Sequence, residues 1–222
     1  MKKLFSLSIV LLLILIVVLQ TGCFKDENTA YADVTASADT IVGLLKYKQV
    51  VDNVTTVVAW PYGNATIKAV DPGNNVMASA SVNTDGTFRL ILPATLKGNY
   101  FISLAYVINE QGGTLKATPE DIKMLGTTQY KVEYSDNGVA KSFMVNLYKL
   151  NLNNTIYTSY YYNFYDQNGT FTGKGTAGNV FNWSFVKGWG IVESYVTNSS
   201  TGAFNSKSVA NVPSGAIWVN GF

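Results

Sequence analysis

The chain has 222 residues, 47% hydrophobic, 14% charged and 13% aromatic, with 19 Gly, 5 Pro and no His, a composition that belongs to a folded, strand-rich protein rather than a disordered one. Without His there is no Ser/His/Asp or Cys/His nucleophile system, no imidazole general base and no His-bearing zinc or non-haem iron site. The single Cys, at position 23, excludes an intramolecular disulfide and a thiolate cluster, and no cofactor is expected.

Lys2 and Lys3 precede an apolar run from Leu4 to Leu19, and Gln20-Thr21-Gly22-Cys23 follows it. A basic start, an apolar stretch and small residues before a cut site read as a secretory signal over residues 1–22. The run is shorter than the about 20 apolar residues that a transmembrane helix needs. Thr21-Gly22-Cys23 resembles the lipobox of bacterial lipoproteins, with Gln20 standing where that family usually has an aliphatic residue. The resemblance implies that Cys23 becomes the lipidated first residue of the mature chain, commonly acylated on its amine too. At about 0.8 kcal/mol per buried CH₂, two or three acyl chains make a stable membrane anchor. Losing Lys2 and Lys3 takes the 16 basic residues to 14, equal to the 14 acidic ones, so the mature chain is neutral and no nucleic-acid partner is expected. Lys25-Asp26-Glu27 resembles the export signal that carries Bacteroidetes-type lipoproteins to the cell surface; a solvated polar tether is the competing reading. The implied location is the outer membrane, lipid-anchored and facing outward.

Residues 23–39 read as the lipidated Cys and a flexible tether of small polar residues. Beyond it, short runs rich in Val, Ile, Thr, Tyr and Phe are separated by turn signals, the pattern of antiparallel β-sandwiches. The expected fold class is all-β, two antiparallel sandwich domains in tandem: residues 40–117, a short helix and linker over 118–126, and residues 127–222. In the first, Ile67 and Ala69, then Val76 to Val82, then Phe88, Leu90 and Leu92 alternate with polar neighbours between the turns Asp71-Pro72-Gly73-Asn74 and Asn83-Thr84-Asp85-Gly86. With Asp85-Gly86-Thr87-Phe88 leading to Leu92-Pro93 and a following Tyr100-Phe101-Ile102 strand, this stretch resembles the Ig-like, prealbumin-like domains of bacterial surface proteins, including the carboxypeptidase regulatory-like type. That is a likeness of fold and carries little functional weight. Thr118-Pro119-Glu120-Asp121 before Ile122, Met124, Leu125 and Gly126 is a helix signature, with an N-cap, Pro at N1 and Gly past the end.

The second half continues with Tyr130, Val132 and Tyr134 alternating before the turn Asp136-Asn137-Gly138. A long tyrosine strand from Thr155 to Tyr165 follows, and Phe181, Trp183 and Phe185 share one face of a later strand. This half resembles the C-terminal modules of uncharacterised bacterial lipoproteins, where a Lys-Gly-Trp turn follows an aromatic strand, and no activity comes with that likeness.

Patterns that could carry chemistry are weak. Ser184-Phe185-Val186-Lys187 matches Ser-x-x-Lys and Ser135-Asp136-Asn137 matches Ser-Asp-Asn, two signatures of penicillin-recognising serine enzymes. A Ser and a Lys three apart on a strand face opposite ways, however, and Lys-Thr-Gly is absent. The acids Glu110, Glu120, Asp121, Glu133, Asp136, Asp166 and Glu193 read as turn and surface groups rather than a glycosidase pair. The two Asp-led turns, at Asp71 and Asp166, lack the further acids of a calcium loop, and no metal site is expected. Asp39-Thr40-Ile41 resembles a short bacterial O-glycan acceptor motif.

The aromatic strand poses the sharper question. Tyr157, Tyr161 and Tyr165 alternate with Tyr160, Tyr162 and Phe164, and a two-layer sandwich buries only one face of a strand in its own core. Tyr160, Tyr162 and Phe164 are therefore the candidate ligand-binding residues, open to a glycan or another surface protein. The competing reading has both faces covered. The sequence-based expectation is a non-enzymatic, surface-displayed lipoprotein with a structural, adhesive or binding role. The alternative is a glycan-binding lipoprotein that assists a nutrient-uptake system.

Overall fold

The computed structural model describes residues 31–52, 54–71, 73–98, 101–125, 128–150, 157–198 and 202–220, with the side chains of Tyr157 and Asn198 left aside. Cys23, Lys25, Asp26 and Glu27 lie outside the described residues. In chain order the first strands are β1 (Val34–Thr35), β2 (Asp39–Val51), β3 (Val54–Ala59), β4 (Ala65–Val70), β5 (Val76–Val82), β6 (Thr87–Leu92), β7 (Thr95–Leu96) and β8 (Phe101–Ser103). Their sides follow the period-two reading. Ala65, Ile67 and Ala69 of β4 are buried beside half-exposed Thr66 and Lys68, and Phe88, Leu90 and Leu92 of β6 are buried beside exposed Thr87, Arg89 and Ile91. Between β5 and β6 the Asp85 carboxylate accepts the Thr87 amide at 2.9 Å, and Gly86 takes a φ of 86°, a left-handed conformation that costs glycine little.

One helix, α1 (Leu104–Gln111), follows β8 directly. Ser103 caps it by accepting the Ala105 amide at 3.1 Å, and the Gly112 amide closes it on the Ile108 carbonyl at 2.8 Å. The helix expected over 118–126 is not there. Thr118 ends β9 (Lys116–Thr118), residues 119–121 turn, and β10 (Lys123–Leu125) takes the apolar residues that were to form the helix. The reason is tertiary: Lys123, Met124 and Leu125 pair antiparallel with Ser103, Ile102 and Phe101, and burial in a sheet outweighs a one-turn helix signal.

The remaining strands are β11 (Gln129–Asp136), β12 (Val139–Leu150), β13 (Tyr157–Tyr165), β14 (Gly169–Lys174), β15 (Val180–Phe185), β16 (Gly188–Asn198), β17 (Ala203–Val209) and β18 (Ile217–Asn220). The all-β class is as expected, but the arrangement differs from two sandwiches in tandem. Seven strands close a barrel in the order β11-β4-β5-β6-β2-β18-β12, with β12 returning to β11. Strands from both sides of the expected boundary close it together, meeting at two seams: Ile67 of β4 lies opposite Val132 of β11, and Trp218 of β18 lies opposite Leu45 of β2 on one side and Leu147 of β12 on the other. Each half supplies strands with one apolar face, and closing them together buries every such face in one interior and removes the free edges that separate sheets would keep. Ile41, Leu45, Ile67, Leu90, Val132 and Trp218 meet there.

Beyond β12 the sheet continues through β13, β16, β17, β15, β14 and β9, with β10 and β8 joining at β13. It wraps a second core around Leu104, Ile122, Tyr165, Phe171, Trp183 and Phe185. The shared face expected for Phe181, Trp183 and Phe185 is present there.

Inside the barrel, Gly43 of β2 leaves the space that the Phe88 ring fills, with Phe88 set edge-on to Trp218 at 5.9 Å. A Cβ at Gly43 would overlap the Phe88 ring and meet Trp218 Cδ1 at 2.7 Å. Gly43→Ala is therefore expected to cost about 1–3 kcal/mol through overpacking. Phe88→Leu, itself destabilising, should recover part of that loss when the two are combined. Denaturant unfolding of the two singles and the double gives the answer; additive losses would contradict this packing.

Candidate functional site

The tyrosine strand β13 does not leave its Tyr160, Tyr162 and Phe164 side open. Tyr160 and Tyr162 are 4% and 7% exposed and belong to the barrel core, and Phe164 is 0% exposed. Phe164 packs in a third cluster with Leu96, Phe101 and Leu125, its ring 5.3 Å from Trp189. On the other side Tyr165 stacks on Phe185 at 3.8 Å and 5°. The exposure expected for Tyr160, Tyr162 and Phe164 is thus corrected: where it carries these residues, β13 lies between two cores rather than on the outside of one, so this set is covered, and of the other set Tyr165 is buried and Tyr161 half-buried. The Tyr160 hydroxyl donates to Glu193 Oε2 at 3.2 Å, and Lys207 pairs the other Glu193 oxygen at 3.2 Å.

The remaining constellations stay apart. Ser184 sits in β15, a strand and not a helix start, and its amide donates to Ser208 Oγ. Asp136 pairs Lys141, and Asp121 accepts from Gln167 Nε2 at 3.0 Å. Asp166 accepts the Lys123 amide at 2.8 Å and so ties its turn to β10, and Asp71 accepts from the Asn75 amide at 2.9 Å within its own loop. Among the described residues no three His, Cys, Asp or Glu side chains are grouped to hold a metal ion. Thr40 lies within β2 next to buried Ile41 and is paired with Ile91, so its glycan-acceptor motif is part of the barrel wall.

One end of the barrel does carry a recess. The loop after β3, Trp60-Pro61-Tyr62-Gly63-Asn64, folds over the interior, with the Trp60 indole donating to the Gly63 carbonyl at 2.6 Å. Five rings gather there: Tyr62 is 4.5 Å from Tyr134, Trp60 is edge-on to Tyr134 at 5.3 Å, Tyr47 is edge-on to Tyr62 at 5.2 Å, and Phe143 lies 5.5 Å from Tyr134. Edge-to-face pairs at these distances add about 0.5–1.5 kcal/mol each to area burial. A hydrogen bond donated to Tyr47, together with burial, pushes the Tyr62 phenol up.

Tyr134 also faces an open cleft of about 570 Å³ whose walls include Asn64, Thr66, Ser81, Asn83 and Glu133. Glu133 accepts from Lys68 Nζ at 2.5 Å and pairs Lys131 at 3.2 Å; these two ammonium groups hold its carboxyl below the usual range. The cleft therefore offers hydroxyls, amides and an ionised carboxylate in one place. Tyr134 and Glu133 were visible in the sequence only as a strand residue and one of many acids, and the Trp60–Asn64 loop was not singled out. Its signal was an aromatic pair set within Pro, Gly and Asn. No family model, curated protein or solved structure matches the chain.

Two outcomes follow from the burial of β13. Replacing both Tyr160 and Tyr162 by Ala is expected to unfold the protein at ordinary temperature, since each large aromatic removed from a core costs about 3–5 kcal/mol; a melting temperature near that of the wild type would mark these rings as surface. The second outcome concerns pH. Burial, with the Glu193 carboxylate adding to it, pushes the Tyr160 phenol up to about 12, and burial with Asp39 does the same for Tyr162. Unfolded phenols ionise near about 10, so the folded state holds these protons more tightly. The resulting stability is fully present below about pH 10 and is lost as pH rises through about 12. Thermal melts across that range, followed with phenolate absorbance, should show the fall and a smaller one in Tyr162→Phe.

Proposed function

We propose that the chain is a non-enzymatic binding lipoprotein, held in the outer membrane by lipid on Cys23 and carried to the cell surface by Lys25-Asp26-Glu27, with a glycan as its ligand. The observation that carries the binding role is the cleft at the barrel end. Its volume, about 570 Å³, falls within the range of small-ligand sites. Sugars present hydroxyls, and the cleft has matching groups: hydroxyls on Thr66 and Ser81, amides on Asn64 and Asn83 and an acceptor carboxylate on Glu133. The lipobox likeness supports anchoring. A second reading, adhesion to a protein, is favoured by Val50, Val51 and Val54, which are 60%, 56% and 60% exposed at the tip of the β2–β3 hairpin, where Val51 and Val54 face each other across the turn.

A glycan array probed with the mature chain tests the role. Retention of a defined set of oligosaccharides is expected. Asn64→Ala with Thr66→Ala should weaken that retention about tenfold, the worth of one or two hydrogen bonds, with no change in melting temperature. No retained glycan, or equal binding by the variant, would reject the cleft as the site. Anchoring is tested separately: Cys23→Ala should abolish incorporation of labelled fatty acid, and equal labelling would reject the lipid anchor.

A further inference from the structure

A second recess lies where β12 changes partner. On one side β12 pairs with β11 as far as Val145 opposite Tyr130, and from Leu147 opposite Tyr160 onward it pairs with β13. The two neighbouring strands part at this fork and leave a cavity of about 60 Å³ lined by Thr128, Tyr130, Asn146, Tyr160 and Trp218, among others. Thr128 and Tyr130 are 8% and 6% exposed, and neither Thr128 Oγ1 nor Tyr130 Oη has a hydrogen-bond partner among the described residues. The Tyr130 ring is fixed edge-on against Trp218 at 4.6 Å, so its hydroxyl has little freedom to seek a partner elsewhere. Burial, with Tyr162 and Asp39 adding to it, pushes the Tyr130 phenol well up. It stays neutral and able both to donate and to accept.

We infer that the fork cavity between β11, β12 and β13 is an internal water site, in which at least one ordered water bridges Thr128 Oγ1 and Tyr130 Oη. A buried hydroxyl without a partner is costly, and native proteins meet that cost with ordered water wherever the site is polar and roomy enough. A water needs about 10–15 Å³ of such volume, which this cavity exceeds. Water can accept from one hydroxyl and donate to the other, as two side chains that do not reach each other require. Apolar guests would leave both oxygens unpaired. The water completes the wall at the one place where no strand can, since β11 has departed and β13 has not yet joined.

The test is a double-mutant cycle on the mature chain with Thr128→Val and Tyr130→Phe, read by thermal unfolding. Each single change removes a water-bonded hydroxyl and is expected to lower the melting temperature by about 2–4 °C. The double variant should lose clearly less than the sum, because the first change already releases the shared water. A single variant that melts at or above the wild-type temperature would show unpaired hydroxyls in a dry cavity, and additive losses would show no shared molecule; either overturns the inference. High-resolution diffraction from wild-type crystals gives a reading independent of variant folding: density about 2.7–3.0 Å from both oxygens is required, and an empty or otherwise filled cavity rejects the water.

Discussion

Strand β12 is the constraint on which the architecture depends. One of its edges is paired with β18, and the other serves β11 first and β13 afterward. The first allegiance closes a seven-strand barrel; the second starts the sheet that wraps the other core. A strand that belonged to only one sheet would leave either the barrel open or the second core without a wall. Because β13 begins where β11 ends, it lies against the barrel on one side and the second core on the other. This placement accounts for the buried aromatics Tyr160, Tyr162, Phe164 and Tyr165 on opposite sides of one strand: where both sides meet protein, neither needs to be polar.

Much of the local structure was legible in the sequence, because alternation and turn chemistry are local. The strands around Ile67, Leu90 and Val132, the Asp85-Gly86 turn and the Asp136-Asn137-Gly138 turn all sit where their patterns place them. Pairing was not legible. Nothing in β4 or β11 alone says that Ile67 and Val132 meet, since an apolar face specifies burial and not a partner. The helix was misplaced for a related reason. The Thr118–Gly126 stretch had the better end signals, but its apolar residues found a strand to pair with, while Leu104–Gln111, capped by Ser103 and Gly112, did not. Of the candidate site, the individual residues could be read and the cleft could not, because Asn64, Ser81 and Glu133 come from three separate segments.

The forces behind this fold are mostly apolar and aromatic. The ion pairs, such as Lys68 with Glu133 and Lys141 with Asp136, lie on the partly exposed outside, where such pairs are worth about 0–1 kcal/mol. Three buried clusters carry the stability instead, and the indole of Trp189 joins the second sheet to the barrel by donating to the Pro93 carbonyl at 2.8 Å. With a formal net charge of +2 and 14% charged residues, the chain has little long-range electrostatic steering to offer a partner, so the ligand proposed for the barrel end would be held by shape and hydrogen bonds.

The position of β18 has a kinetic consequence. Its four residues lie parallel to β2 and antiparallel to β12, so the barrel joins Trp218 to Leu45 across most of the chain. Closing so long a loop is entropically expensive and slow, and proteins dominated by such distant contacts fold in milliseconds to seconds rather than microseconds. Until residues 217–220 arrive, β2 and β12 face each other with unpaired edges and the interior is open to water. The early strands can form hairpins in the meantime, but the cooperative step waits for the last one, which leaves the polypeptide loose for the longest part of its synthesis.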